Sequence, residues 1–140
     1  GLHHQIAPVV RQLSDAGCRV SLFIEPDPVQ IAVAEVLGAP VVELHTGRYA
    51  ELWLEGGQDA AAAELERIRM AAVEARKRGL EPHAGHGLTF DNVKPVAAIA
   101  EIAELNIGHF LIGEAIFTGL DAAVKRMRAL MDEARAESAL

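Results

Sequence analysis

Two short segments pair glycine with histidine, Ala84-Gly85-His86-Gly87-Leu88-Thr89 and Asn106-Ile107-Gly108-His109. Glycine accepts positive φ and lets backbone N–H groups come close to a ligand. An imidazole beside it gives or takes a proton near neutral pH. Upstream, Glu43 and His45 stand two apart in Val42-Glu43-Leu44-His45-Thr46, which puts both side chains on one side of a strand. An inward carboxylate needs a partner, catalytic or structural, because leaving it unpaired is costly. A histidine between two glycines is a poor packing residue, so His86 reads as functional, with Gly87 offering its N–H to an oxyanion. Two readings stay open for both His45 and His109, a core histidine or a group in a site. Gly113 and the turn after it precede a short segment whose helix N–H groups would face a phosphate. The combination describes acid–base chemistry on a phosphorylated small molecule.

Six histidines raise the question of a metal. His83, His86, His109 and Glu43 can in principle form a site, but no HExxH or comparable ligand spacing occurs, so no metal is expected. His3, His4 and His83 carry no supporting pattern and read as structural or surface residues.

Positioning these groups requires strands that end at them. Apolar residues Ile6, Val9, Val10 and Leu13 have helical spacing over residues 4–16, and Gly17 supplies the stop. Residues 19–25 are a β-branched and aromatic run expected to be a strand. Asp27-Pro28 reads as an N-cap with proline in the first turn, and Gln30 completes a capping-box-like pair. The stripe Val29, Ala32, Val33, Val36 is the expected buried face of that helix, and Gly38 ends it. A second strand over 40–46 leads into a long loop, 47–57, which carries Arg48, Tyr49 and Trp53 and reads as a lid. A helix follows over 59–78, with its stripe at Ala61, Leu65, Ile68, Ala72 and Ala75. Strands over 80–84 and 107–112 flank a helical stretch, 91–102, in which Pro95 belongs to a first turn. A last helix covers 121–136 with Leu120, Val124, Met127, Met131 and Ala134 on one face.

This alternation implies parallel strands covered by helices. Either an open doubly wound sheet or part of a (β/α)₈ barrel fits. A barrel typically needs ~250 residues, so four strands in 140 residues make about half of one. No linker divides the chain, and residues 1–140 read as a single domain, with the half-barrel favoured by the motifs.

Composition narrows the classes. With 51% hydrophobic and 24% charged residues the chain is expected to be globular. A net charge of −7 and the lack of a basic stripe argue against nucleic acid. Arg76-Lys77-Arg78 and Lys125-Arg126 read as solvated helix ends that complement helix dipoles. No run approaches the ~20 apolar residues of a membrane span, and the start has no signal-peptide pattern. Cys18, the one cysteine, cannot form an internal disulfide, suits a reducing compartment and is expected to be a small buried residue at the start of a strand. The opening Gly1-Leu2-His3-His4 lacks methionine and reads as a processed chain or a fragment.

Three segments together resemble the pyridoxine 5′-phosphate synthase (PdxJ) family of vitamin B6 biosynthesis. They are Val42 through Ala50, Ala84 through Thr89 with Asn92-Val93-Lys94, and Leu105 through His109; Val20-Ser21-Leu22-Phe23-Ile24 is similar to a further strand of that family. The resemblance implies a (β/α)₈ TIM barrel of which this chain is the carboxyl-terminal part. It also implies condensation of 3-amino-2-oxopropyl phosphate (1-aminoacetone 3-phosphate) with 1-deoxy-D-xylulose 5-phosphate to pyridoxine 5′-phosphate, inorganic phosphate and water. No metal or organic cofactor is implied, and the resemblance implies a cytoplasmic homo-octamer. By motif, His86 matches the proton donor and Glu43 the carboxylate that stabilises the transition state. Gly87, Gly108 and His109 match positions that hold the aminoacetone phosphate. The family's Asn-x-Asp-His motif, substrate-binding arginines, further catalytic histidine and glutamate base have no counterpart in these 140 residues. Two other readings are another phosphate-binding barrel enzyme, of epimerase or indole-glycerol-phosphate synthase type, and a non-catalytic half-barrel that binds phosphate.

Overall fold

The computed structural model describes residues 3–138; Gly1, Leu2 and the side chain of His3 lie outside the described part. Ten elements follow in the order α1 (His3–Asp15), β1 (Ser21–Ile24), α2 (Pro28–Leu37), β2 (Val41–His45), α3 (Gly47–Lys77), β3 (Glu81–Gly85), α4 (Val93–Ala97), β4 (Glu104–Asn106), α5 (His109–Thr118) and α6 (Leu120–Ser138). The four strands form one sheet in the order β1-β2-β3-β4, every pair parallel. A doubly wound sheet reverses strand order at a switch point, and the four described strands contain none.

The pleat divides the sheet into two unlike faces. Val42, Leu44 and Ala84 point to the helices and join a core with Ile31, Ala34, Ile68, Ala72, Ala75, Val96 and Ile99. In register on the other face stand Phe23, Glu43 and His83, then His45, Gly85 and Asn106. One face is thus apolar and covered, the other polar and lined by the groups with chemistry. A second cluster, Phe90, Val93 and Met127 with Phe110, fixes α5 and α6 beside the end of β3. Lys94 pairs with Glu133 at 2.7 Å, and Arg135 donates to the Ile102 carbonyl. Among the described residues no helix is long and apolar enough to cross a membrane.

Several expectations are corrected. The buried face of α2 is Ile31 and Ala34, while Val29 and Val36 are 69% and 86% exposed. The helix is apolar nearly all round, so helical spacing alone fits either stripe. Asp27 does cap α2, accepting from Val29 N–H at 2.8 Å, but Gln30 Oε1 accepts from Glu25 N–H instead of completing a box. The expected loop and lid over 47–57 is helix: α3 begins at Gly47 and bends at Gly56 and Gly57, whose backbones leave helical geometry. Its Tyr49 is fully buried. The fourth strand is 104–106, not 107–112, and the apolar run that suggested a strand belongs largely to α5. The helical stretch over 91–102 shortens to α4, with Pro95 in its first turn. On α6 the buried positions are Ala123, Met127 and Ala134, and Leu120 and Val124 are exposed. Lys125 pairs with Asp121 inside α6. Cys18 is exposed, because β1 starts only at Ser21 and the turn after α1 leaves it outside the sheet.

The face assignment on α2 predicts that Ile31→Ala costs about 3 kcal/mol of stability. Val36→Ala should stay within about 0.5 kcal/mol. Denaturant unfolding of the two variants checks this.

Candidate active site

Strand register builds the site. Gly85 lies between His45 on β2 and Asn106 on β4. A Cβ on Gly85 would stand 2.5 Å from Glu43 Oε1 and 2.7 Å from the Asn106 carbonyl oxygen. The missing side chain therefore lets the half-buried Glu43 carboxylate lie across β3, where its Oε2 accepts from Asn106 Nδ2 at 2.9 Å. The carboxylate has the partner its position demands. The pair ties β2 to β4 at the carboxyl ends of the strands, the end at which parallel α/β folds carry their reactive groups.

His86 follows at once. Its φ is 83°, the one positive φ outside glycine among the described residues. Histidine tolerates the left-handed region better than most residues, at a cost on the order of 1 kcal/mol. The conformation turns the ring out of the strand's line and leaves the residue exposed at the cavity mouth. Its ring lies 4.7 Å from that of His45, which meets Phe23 edge-on at 5.1 Å. His45 Nδ1 stands 3.3 Å from Glu25 Oε1, and Arg67 holds the other Glu25 oxygen at 3.4 Å. His45 is thus in contact with the site from the side of β1. Gly47 makes that stacking possible, since a Cβ there would meet His45 Cε1 at 2.5 Å and His86 Cδ2 at 3.1 Å.

Gly87, also at positive φ, closes the turn; a Cβ there would stand 2.6 Å from Ala50 Cβ. Asn92 braces the loop, donating to the Gly87 carbonyl at 3.2 Å and accepting from Thr89 N–H at 2.7 Å. Behind it, Tyr49 donates to the Asn92 carbonyl at 2.8 Å, and burial pushes the phenol above its ordinary value.

Gly108 and His109 form the N-terminus of α5, as N-cap and first helical residue, with no side chain capping the first turn. His109 is exposed and sits on a helix, not in a strand. The N–H groups of a first turn carry the positive end of the helix dipole and receive anions. This N-terminus lies at Gly108, earlier than the segment after Gly113 that the sequence pointed to. A cavity of about 790 Å³ joins the parts, lined by Phe23, Glu43, His86, Gly87, Gly108 and His109 among others.

His83 lies elsewhere. It is 5% exposed, with Nε2 at 2.8 Å from Glu81 and Nδ1 at 3.6 Å from Glu104, nearer the amino ends of the strands. Hydrogen bonds from His83 first and Arg19 second hold the Glu81 carboxyl below its usual range. Among the described residues no three metal-ligating side chains gather in one place. Sequence reasoning missed the Glu43–Asn106 pair and the braces Thr46 and Asn92. Asn106 at the end of β4 was readable only with the correct strand boundary, because in-register polar positions then fall beside Gly85.

A parallel α/β sheet with an imidazole, a paired carboxylate and a helix N-terminus at its carboxyl edge is the layout of an acid–base site for an anion. The family model described as pyridoxal phosphate biosynthesis protein PdxJ matches residues 1–133, and the chain belongs to that family. It is 61% identical over 132 residues to a pyridoxine 5′-phosphate synthase of Zymomonas mobilis, covering 94% of this chain and 50% of the relative. It is 59% identical over 135 residues to one of Caulobacter sp., covering 96% and 54%. A third, of Rhodospirillum rubrum, is 60% identical over 129 residues, with 92% and 51% covered. The chain spans about half the length of these curated relatives.

Two outcomes are expected. At a left-handed position glycine is the less strained residue, so denaturant unfolding should give His86→Gly an unfolding free energy about 1 kcal/mol above that of His86→Ala. Tyr49 is the one tyrosine of the chain. An unfolded chain loses this proton near 10.0 while the fold retains it. Stability is therefore complete below pH 10.0 and falls as pH rises beyond it. The tyrosinate absorbance should rise only as the fold is lost, and Tyr49→Phe should abolish that absorbance step.

Proposed function

We propose that this chain is the carboxyl-terminal part of a (β/α)₈ barrel, residues 1–140 forming one domain with the strands that would close it. The activity is that of a pyridoxine 5′-phosphate synthase, joining 3-amino-2-oxopropyl phosphate to 1-deoxy-D-xylulose 5-phosphate and releasing inorganic phosphate and water. The observation that carries this is the shared cavity, in which Glu43, His86 and the start of α5 face one another.

Each group then has a role. The N–H groups at Gly108 and His109, with that of Gly87, hold the phosphate of the aminoacetone substrate, which needs no net positive charge. That reconciles a chain of charge −7 with two anionic substrates. Forming an imine, eliminating phosphate and closing a ring each move a proton between carbon, nitrogen and oxygen. An imidazole serves such steps in both directions near neutral pH, and His86 donates the proton that a leaving oxygen requires. Glu43, held toward the cavity by Asn106, stabilises the positive charge that develops at the iminium nitrogen. The reaction read this way calls for no metal or organic cofactor. The protein would act in the cytoplasm as a homo-oligomer, an octamer by resemblance to the family.

Mixing the intact enzyme with the two substrates should release phosphate and pyridoxine 5′-phosphate together. His86→Asn should lower kcat by roughly 10²–10⁴-fold, the usual worth of a positioned acid. Unchanged turnover would remove the role given to His86.

A further inference from the structure

We propose that Thr46 is a positioning residue that acts through His86, its hydroxyl holding the strained turn that aims the imidazole into the cavity. The proposal rests on the reading of His86 as the proton donor.

Thr46 occupies the N-cap position of α3, where a threonine hydroxyl ordinarily accepts an N–H from the first turn of its own helix. Here it makes no such bond. The hydroxyl turns away from the helix and across to the neighbouring chain segment. It lies 2.7 Å from the Gly85 carbonyl oxygen and 2.6 Å from that of His86. One hydroxyl proton serves both acceptors, as a shared bond or by alternating between them. Thr46 N–H also donates to the Gly85 carbonyl at 2.8 Å, so the hydroxyl counts most at His86. Thr46 is fully buried, which puts these contacts out of reach of competing water.

The site held in this way is the one place where a non-glycine residue takes positive φ among the described residues. Strain of that kind persists only where surrounding contacts over-determine it. On the far side of the turn Asn92 fixes Gly87 and Thr89; on the near side Thr46 fixes Gly85 and His86. The following residue, Gly47, lies against both imidazoles with no room for a Cβ. The turn that carries Thr46 is therefore the floor on which His86 rests. A helix cap worth about 1 kcal/mol is given up to build it.

The test uses Thr46→Val, which keeps the shape and removes the donor, and Thr46→Ser, which keeps the donor. Each is placed in the intact enzyme with His86 present and with His86→Ala. Misplacing a reacting group by a fraction of an ångström lowers kcat steeply. Thr46→Val should therefore lower kcat by about tenfold to a hundredfold, with KM for 3-amino-2-oxopropyl phosphate changed by less than about twofold. Thr46→Ser should restore most of kcat. In the His86→Ala background Thr46→Val should have no further effect on kcat. An equal loss in both backgrounds would show that Thr46 merely supports the fold and would overturn the proposal. So would full turnover by Thr46→Val while His86→Ala is impaired, an outcome that leaves the reading of His86 intact. Full turnover by His86→Ala would instead defeat that reading, and the positioning role with it.

Discussion

The absent side chain at Gly85 lets three strands close on one another at their carboxyl ends. The space a methyl group would take is filled by Glu43 Oε1 and by the Asn106 carbonyl. Through that gap the carboxylate on β2 crosses β3 and meets the amide on β4. Everything polar at this edge is arranged around the crossing. His45 is drawn beside Gly85 by register, His86 follows Gly85 directly, and α5 begins just past Asn106. A larger residue at 85 would push the carboxylate off β3 and break its bond to Asn106.

The two faces of the sheet explain how a chain half hydrophobic in composition carries such a site. Helices α2 and α3 cover one face, with Val42, Leu44 and Ala84 against Ile31, Ile68 and Ala72. The other face is reserved for residues that would be expensive in an ordinary core. It keeps them paired: Glu43 with Asn106, and His83 with Glu81 and Glu104. Pairing of this kind lets a buried polar group stay without the penalty of an unmet hydrogen bond. The lower pairs fasten the strands, and the upper one is left facing a cavity.

Much of this was legible in the residues. The alternation of helix and strand, the parallel sheet, the shared face of Glu43 and His45 on β2 and the position of His86 just past β3 follow from spacing and from glycine placement. Legibility failed where a segment is apolar without a clear period. α2 has apolar residues on nearly every side, so its buried stripe could be read only from the packing of Ile31. The run from Ile107 to Ile112 looks like a strand by hydrophobicity. It is helix because Gly108 opens a turn that the β-branched residues do not oppose. Gly47 and Tyr49 looked like loop residues, yet Gly47 is there for the close approach of two histidines and Tyr49 for a buried bond to Asn92. Neither contact has a signature in local sequence, because each joins residues about forty positions apart.

In the function proposed above, one anionic substrate sits between the start of α5 and the side chains of Glu43 and His86. A crystal structure with 3-amino-2-oxopropyl phosphate bound tests it most directly. The phosphate oxygens should lie within hydrogen-bond reach of the Gly108 and His109 N–H groups, with the amino-ketone end between Glu43 and His86. A phosphate held anywhere else, or a substrate whose reactive carbons lie out of reach of both side chains, would contradict it.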